Sequence, residues 1–398
     1  MIISAVLGNP EHPEYGVATI PFPIPKKEYA HVMEMLAQLE VGDPLKRDCQ
    51  LIDIDGWPTV LKRLCGKTIN VEELDYLAKR LDSFDVNEAA QYQGTVFEHD
   101  LQDMTDLINQ TFCCQQATVI TDFSNLEEVG KEHYLTHRGG SCPMEDFKQI
   151  DGVETAMLLL DSGEGKVTPY GVVYDNLMKM ENLYDGIHFP EYYYEPDPLT
   201  LEVKDANGDR LNYLYLPMPE QQIERLLHRA GYTSVDVDYA VSEHSLPEKI
   251  AALVERQNAT LIEVNDMCQG LVMLERQDFA KLDAVMEMAR PELVSEVSAL
   301  IKNLELFDYI PEVRDAESYG RYMIQESGHF EFDENLESYY NYEAYGRDQM
   351  DSESGQFTQH GYVSYHGTLS LDELMAEDPA EQYQRKQGME MGGMPCFE

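Results

Sequence analysis

Two histidines four residues apart are the first candidates for chemistry in this chain. His133 and His137 would lie on one face of a helix, and Cys142 follows closely. Imidazole and thiolate groups are typical ligands of Zn²⁺. The segment lacks the glutamate of an HExxH motif, so a solvated helix face is the preferred interpretation. The histidine pair alone therefore does not predict a metal centre.

A glycine-rich segment beside a lysine is the second candidate. Residues 162–166 read SGEGK, which lacks the GxxxxGK[ST] pattern of a phosphate-binding loop and instead favours a hairpin turn. Two carboxylates could act as general acid and base, but 74 Asp and Glu residues make close pairs common by number alone. We therefore expect no enzyme, no bound metal and no cofactor.

The excess of acidic residues is the strongest physical signal in the sequence. The 74 acids face 29 Lys and Arg in 398 residues, which gives a formal net charge of −45 spread over both halves. The chain is 43% hydrophobic and holds 25 tyrosines, whereas disordered acidic chains are poor in such residues. An acidic surface repels nucleic acid and anionic membranes and attracts basic protein grooves. We expect a folded protein whose partner is a basic protein, with no direct binding to nucleic acid or membranes.

The cysteines and the N-terminal residues indicate a cellular compartment. The chain has 7 cysteines, including the adjacent pair Cys113-Cys114, and this does not indicate a disulfide framework. The first residues carry no basic region, and no apolar run approaches the ~18–20 residues that span a bilayer. We therefore expect a soluble cytoplasmic protein.

Similar segments recur at a nearly constant spacing. Pro23-Ile24-Pro25 recurs as Pro217-Met218-Pro219, an offset of 194. Further matches occur at an offset of 190, and they pair Glu127, Gly130, Asp161, Gly165, Thr168 and Gly171 with Glu317, Gly320, Asp351, Gly355, Thr358 and Gly361. A constant offset with matched glycines predicts a tandem duplication.

Each copy is predicted to begin with a β-hairpin. In the second copy, residues 199–203 and 211–216 alternate apolar and polar positions across Asn207-Gly208, a pair favoured in two-residue turns. Residues 2–7 and 17–22 form the corresponding strands of the first copy.

Helices follow in both copies. Helical periodicity runs from Val71 to Leu81 in the first copy. In the second, Ser245-Leu246-Pro247-Glu248 reads as a capping box, and Pro291 reads as the start of a further helix. The predicted fold class is α+β, an elongated multi-domain chain of small antiparallel sheets and helical bundles.

A proline-punctuated segment, 189–198, is the predicted domain boundary. We expect a first copy at residues 1–190, a second copy at 191–367 and a tail at 368–398. In the tail, Leu369, Leu371, Leu374 and Met375 predict a short amphipathic helix, and residues 382–398 have a disordered composition.

Nine acidic residues are concentrated in a stretch of about 34 residues. They are Asp315, Glu317, Glu326, Glu331, Asp333, Glu334, Glu337, Glu343 and Asp348. Carboxylates three or four residues apart on a helix stand about 5–6 Å apart, an interval of the order expected between phosphates. Duplex DNA carries one charge per ~1.7 Å, so 45 charges correspond to roughly 75 Å of duplex. The tract fits a substitute for DNA, a solvated surface kept for solubility or a tract neutralised by cations, and composition leaves these open.

The region from about Asp315 to Tyr365 resembles the end of the ArdA antirestriction proteins. Three blocks carry the resemblance in order, ESYGRYMIQESG at 317–328, YYNYEAYGRD at 339–348 and FTQHGY at 357–362. A weaker similarity extends back to the strand at 214–219. The resemblance implies partner binding by the nine acids. It also implies motif residues with a structural role, which are Tyr319, Gly320, Arg321, Tyr342, Ala344, Tyr345, Gly346 and Arg347.

The resemblance also implies a function. ArdA proteins are carried on conjugative elements and block type I restriction-modification enzymes by imitating DNA. We accordingly expect an antirestriction protein that occupies the DNA-binding groove of the specificity and methyltransferase subunits. The alternative is an acidic chaperone or adaptor that holds a basic nucleic-acid-binding protein without a DNA-shaped surface.

The chain departs from the family pattern in length. The family's protomer is one unit of three small domains that pairs into an elongated, curved dimer, and this chain is about twice as long. The first copy lacks the AYGRD block at the corresponding residues, 154–158. Two tandem copies could act as a covalent pseudo-dimer, which we prefer, or could form a homodimer. The targeted restriction system, and whether modification is blocked together with cleavage, are not set by the sequence.

Overall fold

A computed structural model of the chain describes residues 2–179, 181–328 and 331–376. Helices and small antiparallel sheets make up this part, as the predicted α+β class requires. The chain forms two compact units. Unit 1 comprises Met1–Pro196, Glu202–Leu214 and Met218–Val235, and unit 2 comprises Asp197–Leu201, Tyr215–Pro217 and Asp236–Glu398. No helix in the described part is long and apolar enough to cross a membrane.

Unit 1 begins with a four-stranded antiparallel sheet of order β2-β1-β3-β4. The strands are β1 (Ile3–Gly8), β2 (Val17–Phe22), β3 (Cys49–Gly56) and β4 (Thr68–Ile69), and α1 (Tyr29–Gln38) follows β2. Ile3 pairs with Phe22 on one side and with Gly56 on the other. Alternate residues of β1 are buried because one face of the sheet covers the core. The predicted first hairpin is confirmed.

Three helices follow this sheet along the chain, α2 (Val71–Asp82), α3 (Val86–Glu98) and α4 (Met104–Gln110). Each begins at a side chain that caps it. Asn70 accepts a hydrogen bond from Glu73 N at 3.1 Å, and Asp85 and Asp103 cap the next two helices. The predicted helical run from Val71 to Leu81 is confirmed.

A smaller sheet and three helices complete the first half. The elements are β5 (Ala117–Ile120), α5 (Leu126–His137), α6 (Met144–Gln149), α7 (Gly152–Asp161), β6 (Lys166–Thr168) and β7 (Gly171–Asp175). The sheet has the order β5-β7-β6. The predicted hairpin turn at 162–166 is wrong, because residues 162–165 connect α7 to β6 and Lys166 is the first residue of that strand. The residues before them are helical, and Ser162 ends that helix.

The second half begins with β8 (Leu199–Lys204), β9 (Leu211–Leu216) and α8 (Glu220–Arg229), followed by β10 (Ala240–His244) and α9 (Glu248–Glu255). The strands form a sheet of order β10-β8-β9. Both predicted strands are confirmed, but Asn207-Gly208 lies in a longer loop. In that loop Asp205 Oδ1 accepts from Asp209 N at 2.8 Å. The predicted capping box is wrong, because Pro247 is the N-cap residue and no side chain bonds there.

Three more helices follow, α10 (Leu261–Met273), α11 (Asp278–Ala289) and α12 (Val294–Lys302). The last begins three residues after Pro291, the predicted start, because Glu296 accepts hydrogen bonds from Glu292 N and Leu293 N and fixes the first turn there. Val297 and Leu300 are fully buried on the expected face.

The last segment of unit 2 contains a third small-sheet arrangement. Its elements are β11 (Phe307–Ile310), α13 (Ala316–Arg321), a π-helical turn (Tyr322–Glu326), a 3₁₀ turn (Glu334–Tyr339), α14 (Tyr342–Ser352), β12 (Gln356–Phe357), β13 (Tyr362–Tyr365) and α15 (Leu371–Ala376). The sheet order is β11-β13-β12. The predicted tail helix is confirmed as α15, and the predicted disorder of 382–398 lies outside the described residues.

The segments 117–175 and 307–365 share contacts at an offset of 190. Both sheets place the first strand beside the third. Ile120 pairs with Val172 as Ile310 pairs with Tyr362. The hydroxyl of Thr168 donates to the carbonyl of Gly171 at 2.8 Å, and Thr358 donates to Gly361 at 2.7 Å. The two segments therefore have the same local arrangement, and the tandem duplication stays a prediction.

Helix α8 is anchored in unit 1 by a buried arginine. The Arg229 side chain is 5% exposed and donates to the carbonyl of Pro44 at 2.5 Å and to the hydroxyl of Tyr184 at 2.8 Å. Tyr184 in turn donates to Glu73 at 3.0 Å. Burying a guanidinium requires such complete hydrogen bonding. Residues beyond the proline-punctuated segment therefore help to build unit 1.

Candidate functional site: an acidic face around α13 and α14

Helices α13 and α14 approach each other at two glycines of the family motif. A Cβ atom on Gly346 would overlap the carbonyl oxygen of Ala316 and would lie 2.7 Å from Gly320 N. A Cβ atom on Gly320 would overlap the carbonyl oxygen of Tyr342. The two glycines therefore set the distance between the helices, because any side chain at either position would force the backbones apart.

Tyr319 lies buried beneath α13. Its ring stacks on Tyr362 with centroids 4.0 Å apart, and both hydroxyls donate to Glu353 Oε2, at 2.5 and 3.0 Å. Burial, together with the carboxylate of Glu353, raises the pKa of Tyr319 well above its ordinary value. Burial also raises the pKa of Tyr362 to about 12. Both phenols therefore stay protonated and serve as hydrogen-bond donors in the core of this segment.

The two motif arginines lie at the surface beside carboxylates. Arg321 Nη2 lies 3.3 Å from Glu317 Oε1, and its Nη1 lies 3.2 Å from Glu337 Oε1. The guanidinium carbon lies 4.5 Å from the centroid of the Tyr342 ring. Arg347 Nη2 lies 2.6 Å from Glu343 Oε1, and both side chains are 62% exposed. Exposed pairs of this kind contribute little free energy, about 0–1 kcal/mol each. Neither pair therefore contributes much to the stability of this segment.

The remaining motif residues belong to α14. Tyr342 is buried and its hydroxyl accepts a hydrogen bond from Gln325 at 2.9 Å. The backbone of Ala344 donates to Asn341, which caps the helix, at 3.2 Å. Tyr345 is half-buried. These contacts hold the first turn of α14.

The predicted partner-binding acids lie at the surface. Eight of the nine are exposed, namely Asp315, Glu317, Glu326, Glu331, Asp333, Glu337, Glu343 and Asp348. The side chain of Glu334 lies outside the described part of the structure. Two of the eight also hold the backbone, since Asp315 accepts from Ser318 N at 2.8 Å and Asp333 from Asn335 N at 3.0 Å. The hydrogen bond from Ser318 lowers the pKa of Asp315, which keeps this carboxylate charged.

Residues 1–190 lack part of this charge pattern. Lys131 pairs with Glu127 at 2.5 Å, as Arg321 pairs with Glu317 at the positions 190 residues later. The positions that correspond to Glu343, Arg347 and Asp348 instead carry three exposed apolar residues, Val153, Met157 and Leu158. The charges that the motif places at Glu343, Arg347 and Asp348 are therefore absent from the corresponding positions of the first half.

The histidine pair of α5 is engaged in the fold. His133 Nδ1 lies 2.7 Å from the hydroxyl of Thr118, and the ring centroids of His133 and His137 are 5.9 Å apart. Burial lowers the pKa of His133, which favours the neutral ring. Among the described residues, His133, His137 and Cys142 do not form a cluster whose ligand atoms could hold one metal ion. The hydrogen bond to Thr118 gives His133 a structural role that sequence spacing did not indicate.

The comparison with known families identifies the second half. Residues 212–364 match the family described as antirestriction protein (ArdA). The match runs from β9 into β13 and contains every residue proposed here for the acidic face. It covers a little over a third of the chain and leaves residues 1–211 outside. No curated protein is significantly similar to the chain. The predicted resemblance is confirmed for residues 212–364, which are similar to the ArdA antirestriction family.

Proposed function

We propose that this chain, whose residues 212–364 match the ArdA antirestriction family, inhibits type I restriction-modification enzymes by imitating duplex DNA. Its carboxylates would occupy the groove of the specificity and methyltransferase subunits that otherwise binds phosphates. The observation that carries this proposal is the exposure of eight predicted acids on α13, on α14 and in the segment between them, where Gly320 and Gly346 fix the spacing of the two helices. The family match makes restriction enzymes the expected class of target.

Electrostatics explains why such a face suits a DNA-binding groove. A groove lined with lysine and arginine binds phosphates largely by releasing counterions, and carboxylates held at comparable spacing release the same ions. The net charge of −45 also steers the protein toward a basic surface before contact. The chain would thus act in the cytoplasm by occupying the groove and not by catalysis.

The repeated contacts support a tandem arrangement of two ArdA-like copies. We propose that one chain acts as a covalent pseudo-dimer, in which the second copy supplies the acidic motif face and the first copy supplies a diverged partner. In this form one chain would fill one groove. A homodimer of the whole chain would instead place two chains on each enzyme.

Inhibition assays test this function through stoichiometry. We expect the cleavage and methylation activities of a type I enzyme to fall to near zero at about one chain per enzyme, because a blocker cannot turn over. Two chains per enzyme at full inhibition would favour the homodimer. Inhibition at amounts far below the enzyme concentration would indicate catalysis and would contradict the proposal.

A further inference from the structure

Three side chains able to bind a metal meet in unit 1, far along the sequence from the acidic face. Glu98 is the last residue of α3, His99 caps the end of that helix and Asp175 is the last residue of β7. One ligand atom from each lies within 4.8 Å of the others, and His99 Nε2 lies 3.9 Å from Asp175 Oδ2. Across residues 2–179, 181–328 and 331–376, this is the one such group of three.

Glu98 supplies an independent indication of a ligand. Its side chain is 4% exposed, and its Oε1 accepts a hydrogen bond from Lys166 Nζ at 2.5 Å. Its other oxygen, Oε2, is buried and has no hydrogen-bond partner. A buried carboxylate oxygen without a donor raises the free energy of the folded state, because it has lost its hydrogen bonds to water and no protein group replaces them. A cation bound at this oxygen would remove that cost.

The backbone favours a cation at the same place. The carbonyl groups at the end of a helix carry a partial negative charge, and Glu98 and His99 form the end of α3. The side chains of His99 and Asp175 are 42% and 36% exposed, which leaves an approach for an ion and its water ligands.

We propose that Glu98, His99 and Asp175 bind a divalent transition-metal ion, with Zn²⁺ the best fit. Zn²⁺ accepts both imidazole nitrogens and carboxylate oxygens, and the imidazole favours a transition metal over Mg²⁺ or Ca²⁺; water would take the fourth position. Zn–ligand distances of about 2.0–2.2 Å place neighbouring ligand atoms roughly 3.3–3.6 Å apart, so small side-chain rotations suffice. The ion would join the end of α3 to the end of β7.

Lys166 is the competitor of the ion at this site. Its ammonium group pairs with Glu98, but the lysine side chain is 67% exposed and can turn into solvent. Replacement of this cation by an apolar side chain of similar length would remove its repulsion of the metal. We therefore expect Lys166→Met to bind Zn²⁺ at least tenfold more tightly than the parent chain.

Calorimetric titration of the full, tag-free chain with Zn²⁺ tests the site. We expect one tight equivalent, weakened at least tenfold in His99→Ala and Asp175→Asn. The control is His12→Ala, because His12 also lies beside an acid, 3.0 Å from Glu14, but has no third ligand. It should bind as the parent does. The asparagine variant keeps a side-chain acceptor for Leu177 N, so its fold is preserved.

A second readout separates this site from weak binding elsewhere on an acidic surface. Zn²⁺ should raise the melting temperature of the parent and of His12→Ala, and it should leave that of His99→Ala unchanged. Equal Zn²⁺ affinity and equal thermal shifts in the parent and His99→Ala would overturn the proposal. So would the lack of any saturable equivalent in the parent chain.

Discussion

Gly346→Ala is expected to destabilise the segment that carries the acidic face by about 2–3 kcal/mol, since overpacking against backbone costs about that much. The added Cβ would overlap the Ala316 carbonyl oxygen and crowd Gly320 N, and backbone atoms cannot rotate away as side chains do. Alanine is otherwise the better helix former by about 1 kcal/mol, so helix propensity alone predicts the opposite sign. The free energy of unfolding, measured by chemical denaturation, decides between the two.

Gly270→Ala is the matched control for this substitution. Gly270 also lies within a helix of unit 2, but the nearest atom to its Cβ would be a side-chain methyl group of Ile301, at 2.8 Å. A side chain can adjust, so we expect a smaller loss of stability. If Gly346→Ala unfolds with the same free energy as the parent or as this control, the close helix contact does not hold the segment together.

Removal of four neighbouring charges is expected to weaken inhibition by at least about tenfold. The variant combines Glu331→Gln, Asp333→Asn, Glu334→Gln and Glu337→Gln. Each lost ionic contact should lower the slope of log affinity against log salt by about 0.7–0.9, by analogy with phosphate contacts. Asparagine at position 333 can still cap the following turn, so the variant should fold normally. Single amide substitutions should each cost only a few-fold.

A quartet of acids in the first copy provides the charge-matched control. Glu128, Glu145, Glu154 and Glu164 are exposed and lie outside the matched family segment. Their replacement by glutamine removes the same four charges. The proposed face predicts a clearly smaller loss of inhibition in this control. Equal losses in both variants would mean that only total charge matters, and the assignment of the binding face would be wrong.

The sequence predicted those features that depend on neighbouring residues. The strands at 199–204 and 211–216 follow from alternating apolar residues, and the helix from Val71 follows from apolar spacing. Helix starts were less predictable, because a capping serine and proline were assigned from local pattern alone. Pro247 occupies the N-cap position of α9, and no side chain caps that helix. Near Pro291, the carboxylate of Glu296 places the start of α12 at Val294.

Features that join distant parts of the chain were not predictable from one sequence. The motif suggested that Gly320 and Gly346 are structural, but their contact with each other is visible only in the fold. Arg229 lies on α8, and its burial beside Pro44 and Tyr184 had no local signal. The proximity of His99 to Asp175 likewise had no signal in the neighbouring residues of either one.

The acidic face combines surface residues that the sequence predicts with a helix contact that only the fold shows. Its residues were chosen from composition and a family resemblance, and their exposure agrees with that choice. Exposure is nevertheless common for carboxylates, because desolvation of a charge is costly. The helix pair itself recurs as α5 and α7, where Gly130 and Gly152 approach each other just as closely. What distinguishes the acidic face is its charged motif, because exposed apolar residues, Val153, Met157 and Leu158, stand at the corresponding positions.

Direct competition with DNA is the measurement that tests the central claim. A labelled duplex carrying the recognition site is bound to a purified type I methyltransferase complex, and the protein is titrated in at low and moderate salt. DNA mimicry predicts complete release of the duplex at near-stoichiometric protein, with weaker release at the higher salt. Binding of the protein to the enzyme while the duplex stays bound would contradict mimicry and would favour an acidic chaperone or adaptor.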